Sequence, residues 1–162
     1  MNIINKMFDY FKKTDIEEPL VYPADFDHLE EANKYKNIAQ LLIKKQDYNA
    51  AWDNLSKQKE HYLLYSSKNN SNEKQALDLD SSIHEDYARI LKYENKHKHA
   101  LVNIIYYLSS SEKTNSNKEK LQTYFEEAKL KNISYKQVEN YTFQARITIN
   151  YNKIEKTFEK WC

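Results

Sequence analysis

Residues 35–55, YKNIAQLLIKKQDYNAAWDNL, are echoed by residues 84–104, HEDYARILKYENKHKHALVNI. The offset is forty-nine positions. It aligns Tyr35, Ile38, Ala39, Leu42, Tyr48, Ala51 and Leu55 with His84, Tyr87, Ala88, Leu91, His97, Ala100 and Ile104. In each copy one small residue follows another by twelve positions, with large residues around both. That spacing suits two antiparallel helices in close contact at two points. Helical hairpins of this kind bury their apolar faces by stacking on one another.

The composition agrees. Of 162 residues 40% are apolar and 30% charged, which marks a globular chain rather than a disordered one. Glycine is absent, and the two prolines, Pro19 and Pro23, lie near the start. Beyond residue 25 nothing strong breaks a helix, so Asn- and Ser-containing turns must join the segments. The net charge of +1 gives no bulk field for nucleic acid or an anionic surface. No run approaches the roughly 18 apolar residues of a membrane span. The single cysteine, Cys162, cannot close an internal disulfide, so a cytoplasmic location is expected.

Working outward from the repeat, residues 27–46 predict a first helix, with Leu29, Ala32, Tyr35, Ile38, Ala39, Leu42 and Ile43 in step. A second helix runs to about Ser67, burying Ala51, Trp52, Leu55, Tyr62 and Tyr65. Ser71 is read as the cap of a short turn holding Ala76, Leu77 and Leu79. Asp78 and Asp80 are read as solvated capping groups, and Ser81 or Ser82 as the cap of a third helix reaching Asn95. A fourth helix spans about 98–110 and a fifth about 117–131. Ser134 with Gln137 makes a capping box that opens a sixth, carried to the end by Val138, Tyr141, Ile154 and Phe158. Residues 2–13 place Ile4, Met7, Phe8 and Phe11 on one face of a leader helix, which docks on the domain, a partner or a membrane surface. The expected division is thus a leader and linker at 1–24 and a helical domain at 25–162, with hairpins near 27–67, 81–110 and 117–162.

The alanine spacing resembles that of the tetratricopeptide-repeat superfamily, whose unit is a helical hairpin of about 34 residues. Residues 32–65 fit one unit and residues 81–114 another. Ala39 and Ala88 stand at the small position of the first helix, Ala51 and Ala100 at that of the second, and Tyr48 at the aromatic turn position, with His97 as its counterpart. The family's tryptophan position holds Tyr35 and His84. Its late small position holds Gln58 and Tyr107, and the closing proline is missing. The resemblance implies an all-α fold: antiparallel hairpins stacked as a short tetratricopeptide-like (TPR-like) α-solenoid of about six helices plus the leader. It also implies a concave groove lined by Asn33, Lys36, Gln40 and Ile43 in the first unit and by Ser82, Glu85, Arg89 and Lys92 in the second.

The residues offer little for catalysis. Without glycine there is no phosphate loop, dinucleotide fingerprint or nucleophile elbow. His97 and His99 point to different sides of a helix, and the triplet His84-Glu85-Asp86 lacks the second histidine of a zinc-protease helix. No catalytic residue, cofactor or metal site is assigned. Arg89, one of two arginines, has a planar fork that grips a carboxylate with two hydrogen bonds; equally, it can pair with Glu85 four residues back. Lys36, Arg89 and Lys92 together suit an acidic segment. The expectation is a non-enzymatic protein- or peptide-binding repeat module, with nucleic acid disfavoured as a partner. The alternative is a small inhibitor or immunity-type accessory protein of a mobile element or defence system, which works by occluding an enzyme or nucleic-acid site.

Overall fold

The computed structural model describes residues 21–144 and 151–162. The leader helix expected at 2–13 lies outside the described residues. Within them the chain forms seven α-helices and no strand: α1 (His28–Lys44), α2 (Tyr48–Lys68), α3 (Glu73–Tyr93), α4 (His97–Ser109), α5 (Asn115–Ala128), α6 (Tyr135–Gln144) and α7 (Tyr151–Glu159).

Most helix starts carry a side-chain cap that satisfies otherwise orphaned amides. The Asp27 carboxylate accepts from Leu29 and Glu30, Asp47 accepts from Ala50, and Thr114 accepts from Asn117. At α3 the cap is Asn72, reciprocated by Gln75, so the helix begins well before Ser81 and runs unbroken. Ser81 and Ser82 are interior residues whose hydroxyls donate back to the carbonyls of Asp78 and Leu79, at 3.1 and 2.7 Å. A serine that bonds its preceding turn needs no helix start, and this removes the expected break. The Ser134–Gln137 box does form, with Ser134 N–H donating to Gln137 Oε1 at 3.0 Å.

The helix ends solve the missing-glycine problem with other residues. Gln46, Asn70, Asn95 and Lys129 all adopt positive φ, between 49° and 64°. After α1 the Asp47 amide donates to the Leu42 carbonyl and Gln46 to Ile43; after α3 Lys96 donates to Leu91 and Asn95 to Lys92. These are the paired bonds of a left-handed helix stop. They recur at the same forty-nine-residue offset, so the repeat extends into the turns.

The four repeat alanines, Ala39, Ala51, Ala88 and Ala100, are fully buried. α1 packs on α2, α2 on α3, and α3 on α4. One apolar core gathers Ala32, Ala39, Ile43, Ala51, Leu55 and Tyr62 with Ile83 and Ile90 of α3. A second surrounds α4, where Leu101, Ile104, Ile105 and Leu108 meet Ala88, Leu121, Val138 and Ile154. Each such fully buried aliphatic side chain contributes about 2 kcal/mol. α4 touches α3, α5, α6 and α7, which explains its near-continuous apolar sequence.

The sixth helix expected to run from Ser134 to the end is instead two. The Tyr141 hydroxyl donates to Thr157 Oγ1 at 3.2 Å, and the Tyr141 and Trp161 rings lie 5.1 Å apart. Along one straight helix residues 141 and 157 would be about 24 Å apart, so the chain folds back between α6 and α7.

A left-handed glutamine costs about 1–2 kcal/mol that glycine would not incur. Gln46→Gly is therefore expected to raise the unfolding free energy by about 0.5–1 kcal/mol, after glycine's own entropic cost, and Tm by about 2–3 °C. Thermal unfolding checks this; a fall in Tm would show that the turn is held by the glutamine side chain.

Candidate partner-binding face and the buried polar cluster beside it

α3 lies between the two cores and is buried on most sides. Beyond its exposed first turn, a line of partly open positions recurs every three or four residues, Asp78, Ser82, Glu85, Arg89 and Tyr93, while the partly open Leu79 and Tyr87 lean on the first core. Ser82, Glu85 and Arg89 of the expected groove fall on this stripe, with Lys92 at its border. On α1, Asn33 is exposed and Lys36 and Gln40 are half-buried, whereas Ile43 is 3% exposed and belongs to the core. Ile43 presents no surface to a partner, because the helix rotates that position under α3.

Polar side chains stitch α1, α3 and α5 across this face. Gln40 Nε2 donates to Asp86 Oδ2 at 3.2 Å, joining α1 to α3. Arg89 Nη1 sits 3.1 Å from Asp86 Oδ1, so the arginine pairs three residues back rather than with Glu85. Glu85 is taken by Lys120 of α5. Lys92 lies 2.6 Å from Glu127 and covers the Tyr124 ring at 5.3 Å. Burial pushes the Tyr124 hydroxyl up to about 12, so it stays protonated as a donor. The face therefore carries three acids and three bases joined as three ion pairs, with Asp86 buried beneath Arg89. Sequence reasoning missed Asp86, Lys120, Tyr124 and Glu127, because their roles depend on which helices become neighbours.

Beside this face, under α3, lies a buried charge. Asp80 is 6% exposed and not a solvated cap. Lys59 of α2 is 2.8 Å from its Oδ1, and the Tyr106 hydroxyl of α4 donates to its Oδ2 at 2.7 Å. Burial raises the Asp80 pKa, but Lys59 and His84, with the two hydrogen bonds, outweigh it and hold the carboxyl below its usual range. His84, one turn on, has Nδ1 2.6 Å from Asn103 Oδ1 and Nε2 3.9 Å from Asp80 Oδ2. Asn103 Nδ2 donates to the His99 carbonyl and the Tyr151 hydroxyl, so its oxygen accepts and the proton belongs on His84 Nδ1. Burial drives the His84 pKa down to about 4 against the pull of Asp80. Asp80, His84 and Tyr106 are all nearly inaccessible, so the cluster joins helices instead of meeting solutes.

A second histidine pair closes the N-terminal end. His28 Nδ1 and His61 Nδ1 are 3.0 Å apart, and the rings of Tyr22, Phe26 and Tyr35 surround them. One ring must donate and the other accept, and burial lowers both pKa values. Among the described residues no three of His, Cys, Asp and Glu converge as metal ligands, and no helix is long and apolar enough to cross a membrane. Comparison with family models, curated proteins and solved structures finds no match to this chain.

The His84 shift sets a pH window. Its pKa falls from 6.5 to about 4 on folding, so between these values the unfolded chain holds more protons. Stability present above pH 6.5 is lost as pH falls toward 4, by roughly 3 kcal/mol from this group. Urea midpoints across that range should drop in wild type and drop less steeply in His84→Gln; identical slopes would refute the assignment. Lys59→Met, which strands the Asp80 charge, should destabilise by about 3 kcal/mol at pH 7, and adding Asp80→Asn should recover much of it.

Proposed function

We propose that this chain is a non-enzymatic, TPR-like helical module that binds a protein or peptide along the face of α1, α3 and α5. The observation that carries the reading is the open polar stripe of α3, where the part-exposed Glu85 and Arg89 are held by charges from Lys120 and Asp86. Side chains fixed before binding lose less rotamer entropy when a partner arrives, which favours recognition over an unpaired, mobile surface. Fixed charge of both signs also selects orientation and excludes wrongly charged partners.

The pairing refines the partner's character. A purely acidic segment must displace Asp86 from Arg89 and Glu127 from Lys92, whereas a segment of mixed sign matches the face as it stands. No ion pair engages Lys36 among the described residues, and it is the natural seat for an acidic group.

Affinity capture with wild type and with Lys36→Ala, Arg89→Ala double variants of confirmed fold tests the reading. A partner held by wild type, lost by at least about tenfold in the variant and retained by Lys156→Ala, at an exposed site on α7 away from the face, is the expected result. Equal retention by both variants would remove the face from function and favour occlusion of a target by another surface.

A further inference from the structure

The C-terminal ends of α1, α3 and α5 meet at one end of the molecule. Tyr48, just after the α1–α2 turn, stacks on Tyr93, the last residue of α3, at 5.8 Å between ring centres. Glu127, near the end of α5, faces Lys92 at 2.6 Å and His97 at 3.6 Å. The three turns that follow these helices therefore share that end, each bent by a left-handed residue: Gln46, Asn95 and Lys129.

These turns are rich in lysine. Lys44, Lys45, Lys96, Lys98, Lys129 and Lys131 are all exposed. Lys96 is bound to Glu94 at 2.8 Å; the other five form no ion pair among the described residues. The acids nearby are already engaged. Asp47 caps α2, Glu94 holds Lys96, Glu126 accepts from Gln122, and Glu127 serves Lys92 and His97. Glu94 and Glu127 are offset by lysines, whereas Asp47 and Glu126 keep their charge, so the five unpaired lysines less these two carboxylates leave a local excess of about +3 at one end of a chain whose net charge is only +1.

Two large apolar side chains stand out at the same end: Leu41 in the last turn of α1 is 57% exposed and Tyr93 is 56% exposed. We infer that this end is a docking surface for an anionic lipid bilayer, with the lysines on the headgroups and Leu41 and Tyr93 entering the interface. The charge and the apolar residues select this partner together. Clustered lysines bind any polyanion, but an exposed leucine gains nothing from a phosphate backbone and does gain from the edge of the acyl region. Tyrosine is at home at that depth, with its ring in the apolar boundary and its hydroxyl among headgroups. The surface lies at the ends of the helices and meets the stripe on α3 only at its last residue, Tyr93, so binding here leaves Ser82, Glu85 and Arg89 open.

The test is co-sedimentation of the full chain with phosphatidylcholine vesicles, with and without phosphatidylserine. Three proteins are compared at matched fold by circular dichroism: wild type, Lys45→Glu/Lys98→Glu/Lys131→Glu, and Leu41→Ser/Tyr93→Ser. Wild type should bind only the anionic vesicles. The charge-reversed variant should bind them at least about tenfold more weakly, and the serine variant, with all lysines intact, should also bind more weakly. Wild-type binding to neither vesicle type would overturn the inference, as would equal anionic binding by the charge-reversed variant. Unchanged binding by the serine variant would refute insertion. Tighter binding to a single-stranded oligonucleotide than to vesicles, abolished by the same reversals, would assign the surface to nucleic acid instead.

Discussion

One buried carboxylate joins the two halves of this protein. Asp80 reaches Lys59 on α2 and Tyr106 on α4 from its place on α3, so helices belonging to two different apolar cores are held by one charge. Apolar packing is tolerant of small shifts in angle and register, but a desolvated carboxylate is not. It must find its cation and its hydroxyl in fixed positions or remain an unmatched charge in a low-dielectric setting. The cost of placing Asp80 inside is thus a constraint on how α2, α3 and α4 sit together. His84 extends the constraint to Asn103, whose side chain in turn meets Tyr151 of α7.

The face that we assign to partner binding inherits its shape from the same helix. Because α3 is walled in by both cores, a polar line of its residues opens outward, and long side chains from α1 and α5 reach over to meet it. Ion pairs at such a part-exposed surface add little to stability on their own. Their contribution is positional: they hold charges of both signs in place on α3 and α5, while the Gln40 amide ties α1 to them.

How far the sequence foretells this can be judged from particular residues. The alanine spacing at Ala39, Ala51, Ala88 and Ala100 points to the hairpins, and all four alanines are at the core. The Ser134–Gln137 box marks a true helix start. Ser81 misleads because a hydroxyl has two uses near a helix, capping its start or bonding its preceding turn, and local sequence does not distinguish them. Asp80 is hidden for a different reason: its partners come from positions 59 and 106, which no local pattern connects to it. The repeat does place Ser82, Glu85 and Arg89 on an open stripe. It places Ile43 there too, although that side chain is core. The Asp86, Lys120 and Glu127 contacts need the tertiary arrangement before they have meaning.

The division into two cores bears on how the chain comes apart. α3 contributes Ile83 and Ile90 to one core and Ala88 to the other, so it is a common wall and not the property of either side. If α1 and α2 loosened, Ile83 and Ile90 would be uncovered while the packing around α4 kept its own apolar contacts. Such a molecule has two cooperative units of unequal strength, with amide hydrogens in α4 exchanging only through the rarest openings and those of α1 through commoner ones. The shared helix would then set the hierarchy: the N-terminal hairpin is the part that yields, and the α4 bundle is the part that remembers the fold.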